Sequence, residues 1–177
     1  MRPTLRTERL TLRPLAEGDL DDLVAMNGDP EVMAFIGPPM TPEQVAAELP
    51  DWVQDHGDFG LWAGLADGAF AGVWFLSHDP DDERAGEIGW RLPRAAWGHG
   101  YAVEGARALL AHAADTLGLE RVWAETMAVN TRSRRVMERL GLTHVRSYVG
   151  TWDDPLPGWE QGEVVYEVRL AQPSRRP

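Results

Sequence analysis

Three segments of this chain carry residue types that can do chemistry. The first is Arg94-Ala-Ala-Trp-Gly98-His-Gly100-Tyr-Ala102. A strand pattern ends at Leu92-Pro93, a turn with two glycines follows, and a helical pattern opens at Tyr101. Glycines let several backbone N–H groups face one ligand without a side chain in the way. The unpaired N–H groups and dipole of a helix start favour a phosphate. A tight strand-to-helix turn needs glycine for geometry as well, so both readings stand on the local pattern. The spacing does not fit the dinucleotide fingerprint, whose third glycine would fall too late, at Gly105, and the lysine of a P-loop is missing. The second segment, Asn130-Thr-Arg-Ser133-Arg-Arg-Val-Met-Glu138-Arg-Leu-Gly141, starts a helix with a residue able to cap it. It carries Arg132, Arg134, Arg135 and Arg139 against the single acid Glu138, a local excess of positive charge that suits an anion or a solvated helix face. The third is Glu87, which shares a strand face with Gly89 and Arg91, opposite Ile88, Trp90 and Leu92. It suits a general base or an ion-pair partner for Arg91.

Composition removes other chemistries. The 177 residues contain no cysteine, which excludes disulfides, thiolate catalysis and cysteine zinc sites. All 17 basic residues are arginine, so no lysine is present to form a Schiff base. The net charge of −11 disfavours nucleic acid and favours cationic partners such as amines. His56, His78, His99, His112 and His144 lack metal-ligand spacing, and Asp79, Asp81, Asp82 and Glu83 lack the calcium-loop pattern, so no metal is expected. The first ten residues lack the apolar core of a signal peptide, and no apolar run has membrane-spanning length. A cytoplasmic protein is expected.

The elements that position these segments follow from periodicity. Leu10 to Arg13 alternates as a strand, Asp19 precedes a helix ending near Gly28, and Thr41-Pro42 starts another, kinked at Pro50 and fading by Gly57. Phe59–Ala66 and Ala69–Ser77 form a hairpin around Asp67-Gly68, and His78–Arg84 reads as an acidic loop. Glu87–Leu92 is a strand, and Tyr101–Leu117 a helix closed by Gly118, with His112 near its polar side. The strand Glu120–Thr126, the Asn130 helix and the late strands Thr143–Val149 and Glu163–Leu170 complete a mixed α/β sheet. One domain over residues 1–170 and a loose tail over 171–177 are expected.

Taken together, the glycine turn, the following strand and the asparagine helix resemble the GNAT acyl-CoA-dependent N-acetyltransferases. The opening Thr7-Glu-Arg-Leu-Thr-Leu-Arg13-Pro, with Trp97 before the turn, resembles the branch containing the ribosomal-protein N-terminal acetyltransferases. The resemblance spans roughly residues 5–170. It implies a mostly antiparallel central sheet of about seven strands, splayed between the fourth and fifth, flanked by about four helices. It implies that the pyrophosphate of acetyl-CoA sits on the backbone of Gly98, His99, Gly100, Tyr101 and Ala102, with Arg94, Arg132 and Arg135 nearby. The pantetheine arm would follow the strand edge at Trp90, Arg91 and Leu92 and meet Asn130, whose plain structural role is a helix cap. The acid that protonates the leaving thiolate is a tyrosine in many members; Met137 fills that slot here, and Ser133 matches the serine of the branch. Glu87 lies on the strand that polarises the thioester.

The implied reaction is direct attack of a primary amine, at a peptide N-terminus or on a small molecule. An α-amino group of pKa near 8 costs roughly 1.4 kcal/mol to deprotonate at pH 7, a lysine amine about 4.6 kcal/mol. Terminal amines therefore need less help from a base. The alternative is a catalytically weak coenzyme-binding module of the same fold, suggested by Met137. The first two helices and the loop carrying Trp152, Asp153, Asp154, Trp159 and Glu160 would flank the acceptor, with Tyr148 and Tyr166 on the strands beside it, and the late strands or exposed tryptophans offer surfaces for a homodimer.

Overall fold

The computed structural model describes residues 2–54, 57–151 and 155–171. His56, Trp152, Asp153, Asp154 and the end of the chain from residue 172 lie outside them. Eight strands form one sheet in the order β1-β2-β3-β4-β5-β6-β8-β7. They are β1 (Leu5–Arg6), β2 (Leu10–Pro14), β3 (Gly60–Ala66), β4 (Ala69–Asp79), β5 (Asp82–Arg91), β6 (Arg121–Met127), β7 (Thr143–Tyr148) and β8 (Glu163–Arg169). The helices are α1 (Leu20–Asn27), the single turn α2 (Pro30–Met33), α3 (Pro42–Val53), α4 (Tyr101–Asp115) and α5 (Thr131–Arg139). The strand beyond the expected seven is the two-residue β1.

Alternating side chains split the core into two clusters, one on each face of the sheet. Leu12, Trp62, Trp74, Leu76, Ile88 and Val122 pack with Leu109 of α4 and Met137 of α5. Leu15, Ala63 and Val73 pack on the other face with Leu23 and Met26 of α1 and Val45 and Leu49 of α3. Thr41 and Gln44 cap α3 reciprocally, and Pro50 lies inside that helix, which ends at Val53.

Two local expectations are corrected. The acidic stretch after Ser77 is not a loop: β4 continues to Asp79 and β5 begins at Asp82. Asp79 accepts from Arg121 Nη2 at 3.1 Å and from Trp123 Nε1 at 2.9 Å, and these contacts from β6 hold the acidic strand end in the sheet. His112 is buried rather than on a polar face. Its ring stands edge-on to Trp62, and Nε2 lies 3.3 Å from the Asp58 carbonyl.

The pairing of β5 sets up everything that follows. Against β4 it is antiparallel along its length, from Asp82 to Arg91. Against β6 it is parallel, and only Ala85–Arg121, Gly86–Val122 and Glu87–Trp123 are in register. Beyond Glu87 the two strands part, leaving one edge of Ile88–Arg91 without a partner strand. This is the splay expected between the fourth and fifth strands, counted without β1.

Candidate active site

A cleft of about 1020 Å³ occupies the splay. Its walls come from both faces of the sheet: Met26, Asn27 and Glu48 on the α1–α3 side, and Tyr101, Ala102, Asn130, Ser133 and Arg135 on the α4–α5 side. Glu87, Gly89, Trp90, Arg91 and Leu92 of β5 and Glu125 of β6 line the slot between them.

At one end the glycine turn enters α4. Gly98 and Gly100 adopt φ of +80° and +82°, a left-handed conformation that glycine takes without strain. Gly100 is the residue preceding the helix and offers no side-chain cap. The first helical N–H with a backbone acceptor is that of Glu104, bonded to the Gly100 carbonyl at 3.1 Å. Among the described residues, the N–H groups of Gly98 through Val103 have no protein acceptor. Such a row of free donors at a helix start is an anion cradle.

The turn is held from outside by a residue the sequence did not single out. Glu104 accepts through Oε1 from the Arg9 N–H at 2.8 Å and through Oε2 from Arg9 Nε at 2.7 Å. Arg9 Nη1 then donates to the His99 carbonyl at 2.9 Å. The helix is pinned to the sheet by Trp74, whose Nε1 donates to the Ala102 carbonyl at 3.1 Å. Gly105 is what lets the indole approach: a Cβ there would meet Trp74 at 2.5 Å.

The arginines divide. Arg132 stacks on the Trp97 ring at 4.4 Å and lines the cleft with Arg135. Arg139 lines it too, and also borders a second hollow beside Arg6, Arg9 and Arg107. Arg134 is instead committed to the fold, donating to the Ala128 carbonyl at 2.9 Å and the Tyr166 hydroxyl at 3.2 Å. Arg94 does not line the cleft; it pairs with Glu31 at 2.5 Å. His99 also faces away, stacked on Tyr101 with ring centroids 5.5 Å apart.

Asn130 does cap α5, its Oδ1 accepting from the Ser133 N–H at 3.2 Å while Nδ2 donates to Thr126 Oγ1 at 3.0 Å. Ser133 is thus relieved of capping, and its side chain stands at the cleft wall. Met137 is 1% exposed and belongs to the core.

At the other end three carboxylates converge. Pairing of β6 with β8 brings Glu125 and Glu163 onto the slot beside Glu87. Burial, with the charges of Glu125 and Asp79, pushes the Glu87 carboxyl up to about 7. Glu163 is raised by burial and by Glu125. Tyr148 donates its hydroxyl to Glu125 at 2.5 Å, and burial with this bond pushes the phenol up to about 12. No cation comes within ion-pair distance of Glu87 among the described residues. Arg91 reaches Asn27 instead, so the ion pair considered for Glu87 does not form. Glu125 and Glu163 were not legible beforehand, because only strand pairing makes them neighbours.

A family model described as an acetyltransferase (GNAT) domain matches residues 9–143. This chain belongs to the GNAT acetyltransferase family. The FsC-acetyl coenzyme A-N(2)-transacetylase of Aspergillus fumigatus is 39% identical over 191 residues, covering 97% of this chain and 81% of that protein. RimL, an alpha-N-protein acetyltransferase solved with coenzyme A, superposes with a TM-score of 0.81 at 18% identity, over 95% of this chain and 98% of that one. The spermidine N-acetyltransferase of Vibrio cholerae, solved with CoA and spermine, gives 0.79 at 17% identity over 92% and 96%. At those identities the two structures share the fold. With the family match and the fungal relative, the chain is an acetyl-CoA-dependent N-acetyltransferase. No helix among the described residues is long and apolar enough to cross a membrane, and no three His, Asp or Glu side chains among them are placed to hold one metal ion.

Proposed function

We propose that this GNAT enzyme acetylates the primary amine of a peptide N-terminus or a small molecule, by direct attack on the acetyl-CoA thioester. The observation that carries the reading is the slot beyond Glu87, with free N–H donors at one end and three glutamates at the other. The pyrophosphate takes the N–H groups of Gly98 to Ala102, and Arg132 and Arg135 add charge. The pantetheine arm completes the unpaired edge at Trp90 to Leu92 and passes Asn130. The N–H of Trp90 or Arg91 polarises the thioester carbonyl.

The acceptor arrives as an ammonium ion, attracted by Glu87, Glu125 and Glu163. Glu87, held near neutrality, removes its proton directly or through one water. The amine nitrogen bonds to the acetyl carbon, the carbon–sulfur bond breaks, and the nitrogen gives up its second proton. Ser133 delivers a proton to the departing thiolate and takes in its place, through water, the one the nitrogen releases. The fungal relative's name places its acetyl group on an N(2) nitrogen and RimL's on an alpha-N nitrogen, in keeping with an acceptor of modest basicity.

The test pairs calorimetry of acetyl-CoA, CoA and ATP with thiol release across a panel of amines and N-terminal peptides. Acetyl-CoA binding and turnover on at least one amine are expected. ATP binding without CoA binding, or CoA binding with no turnover on any amine, defeats the proposal.

A further inference from the structure

Arg91 is the cation on the acceptor side of the slot that the acetyl-transfer proposal leaves without a task for its side chain. It sits on β5 on the same face as Glu87 and Gly89, and it lines the cleft with Asn27 and Glu48. Arg91 Nη1 donates to Asn27 Oδ1 at 2.6 Å. That is its one side-chain hydrogen bond among the described residues, although a guanidinium carries five donors. No carboxylate there pairs with it: Glu31 is taken by Arg94, and Glu48 acts only from a distance. Burial disfavours the charge, and Glu48 offsets this only in part. A half-buried guanidinium with spare donors, aimed by a neutral amide into a cleft, keeps donors open to the cleft that a ligand oxygen can take.

Asn27 makes the aim firm. It is 1% exposed at the end of α1, and its own carbonyl accepts from the Met40 N–H at 2.9 Å. The guanidinium is therefore held by a fixed partner from the α1 layer, where the acceptor enters, and not by the coenzyme side. Spacing sets the length of the missing group. Arg91 lies two residues along the strand from Gly89, about 7 Å. The nitrogen and carbonyl oxygen of an α-amino acyl group are about 3 Å apart, and a hydrogen bond adds about 3 Å.

We propose that the Arg91 guanidinium, positioned by Asn27, binds a carbonyl or carboxylate oxygen beside the reacting amine, so that the enzyme selects α-amino acyl acceptors over plain alkylamines. This deepens the acetyl-transfer reading and rests on it. The acid cluster holds the ammonium end, and Arg91 reads the oxygen a few bonds away. A polyamine offers nothing to the guanidinium and leaves it unpaired.

The test measures kcat/KM for matched pairs that differ by one carboxamide: phenylalaninamide against phenethylamine, and leucinamide against isopentylamine. The readout is the selectivity ratio in Arg91→Met divided by that ratio in the wild type, in which the unequal basicity of the amines cancels. Loss of a charge-assisted bond lowers the ratio about 10- to 100-fold. Asn27→Ala, which keeps the charge but frees it, gives a smaller fall carried by KM, and it serves as the test if Arg91→Met does not fold. A role for Arg91 in the fold alone slows both amines equally; an unchanged ratio overturns the proposal while acetyl transfer stands. Turnover confined to amines without a neighbouring oxygen overturns it as well. Failure to turn over any amine removes the acetyl-transfer reading, and Arg91 with it.

Discussion

Arg9 Nη1 donates to the carbonyl of His99 at 2.9 Å, joining the turn between β1 and β2 to the glycine turn 90 residues later. Glu104 fixes the other edge of the same guanidinium. The phosphate cradle is thereby braced by a residue that is part of neither the turn nor the helix. An exposed ion pair is worth little by itself. This one matters because it holds the His99 carbonyl, between the two glycines of the turn. Arg9→Ala is expected to weaken acetyl-CoA binding about tenfold by calorimetry. Glu104→Ala should do the same, and the double variant should be no worse than either single one, because both remove one brace. Additive losses would separate the two residues.

Glu87 should give the reaction its acid limb. Its carboxyl must be ionised to accept a proton, and it titrates near 7. With an acceptor amine of low basicity, log kcat/KM should rise with unit slope below pH 7 and level above it. Glu87→Gln should lower kcat/KM about 100- to 1000-fold and abolish that limb, leaving only the amine's own titration. A limb unmoved in the variant assigns it to another group.

The same carboxyl should cost stability. Its folded-state value of about 7 lies above the ordinary 4.5, so the folded protein holds the proton more tightly than the unfolded chain. Stability contributed at this site is complete below about pH 4.5 and declines as pH rises through 7. Glu87→Gln should therefore melt several degrees higher than wild type at pH 8, a gain on the order of 2 kcal/mol, and match it near pH 4.5. Melting curves at the two pH values decide the point.

Ser133 should affect chemistry and not affinity. Capping of α5 is the work of Asn130, so Ser133→Ala leaves the helix start intact. We expect kcat to fall 10- to 100-fold with acetyl-CoA affinity within about twofold of wild type. Parallel loss of both would give the hydroxyl a binding role.

Gly105 sits where the fold and the cradle meet. An alanine there gains up to about 1 kcal/mol of helix propensity, but its Cβ would lie 2.5 Å from the Trp74 ring. That ring is fully buried and cannot swing away. Gly105→Ala should lose about 1–2 kcal/mol net by denaturant unfolding, and weaken acetyl-CoA binding as the Trp74–Ala102 bond is displaced.

What could be read from the residues depended on the range of the forces involved. The turn Gly98–Gly100, the Asn130 cap and the Thr41–Pro42 helix start are local stereochemistry, legible within a few positions. The place of Glu87 on its strand face followed from alternation alone, and the structure puts it on the cleft. Asp79 misled because a run of acids reads as a solvated loop; Arg121 and Trp123, over 40 residues away, neutralise and hold it. His112 misled for the same reason, its partners being Trp62 and Asp58. Arg9 stands in the very segment that carried the resemblance, yet nothing around it points to His99. The acid cluster, like the Asn27–Arg91 bond, exists only once strands and helices from distant parts of the chain are assembled.

The short parallel ladder between β5 and β6 has a kinetic corollary. A gap that passes through the sheet has two mouths, so one reactant can be seated from each side and neither has to vacate for the other. Initial-rate plots against both reactants should then give intersecting lines, the signature of a ternary complex, where a shuttle through a modified enzyme would give parallel ones.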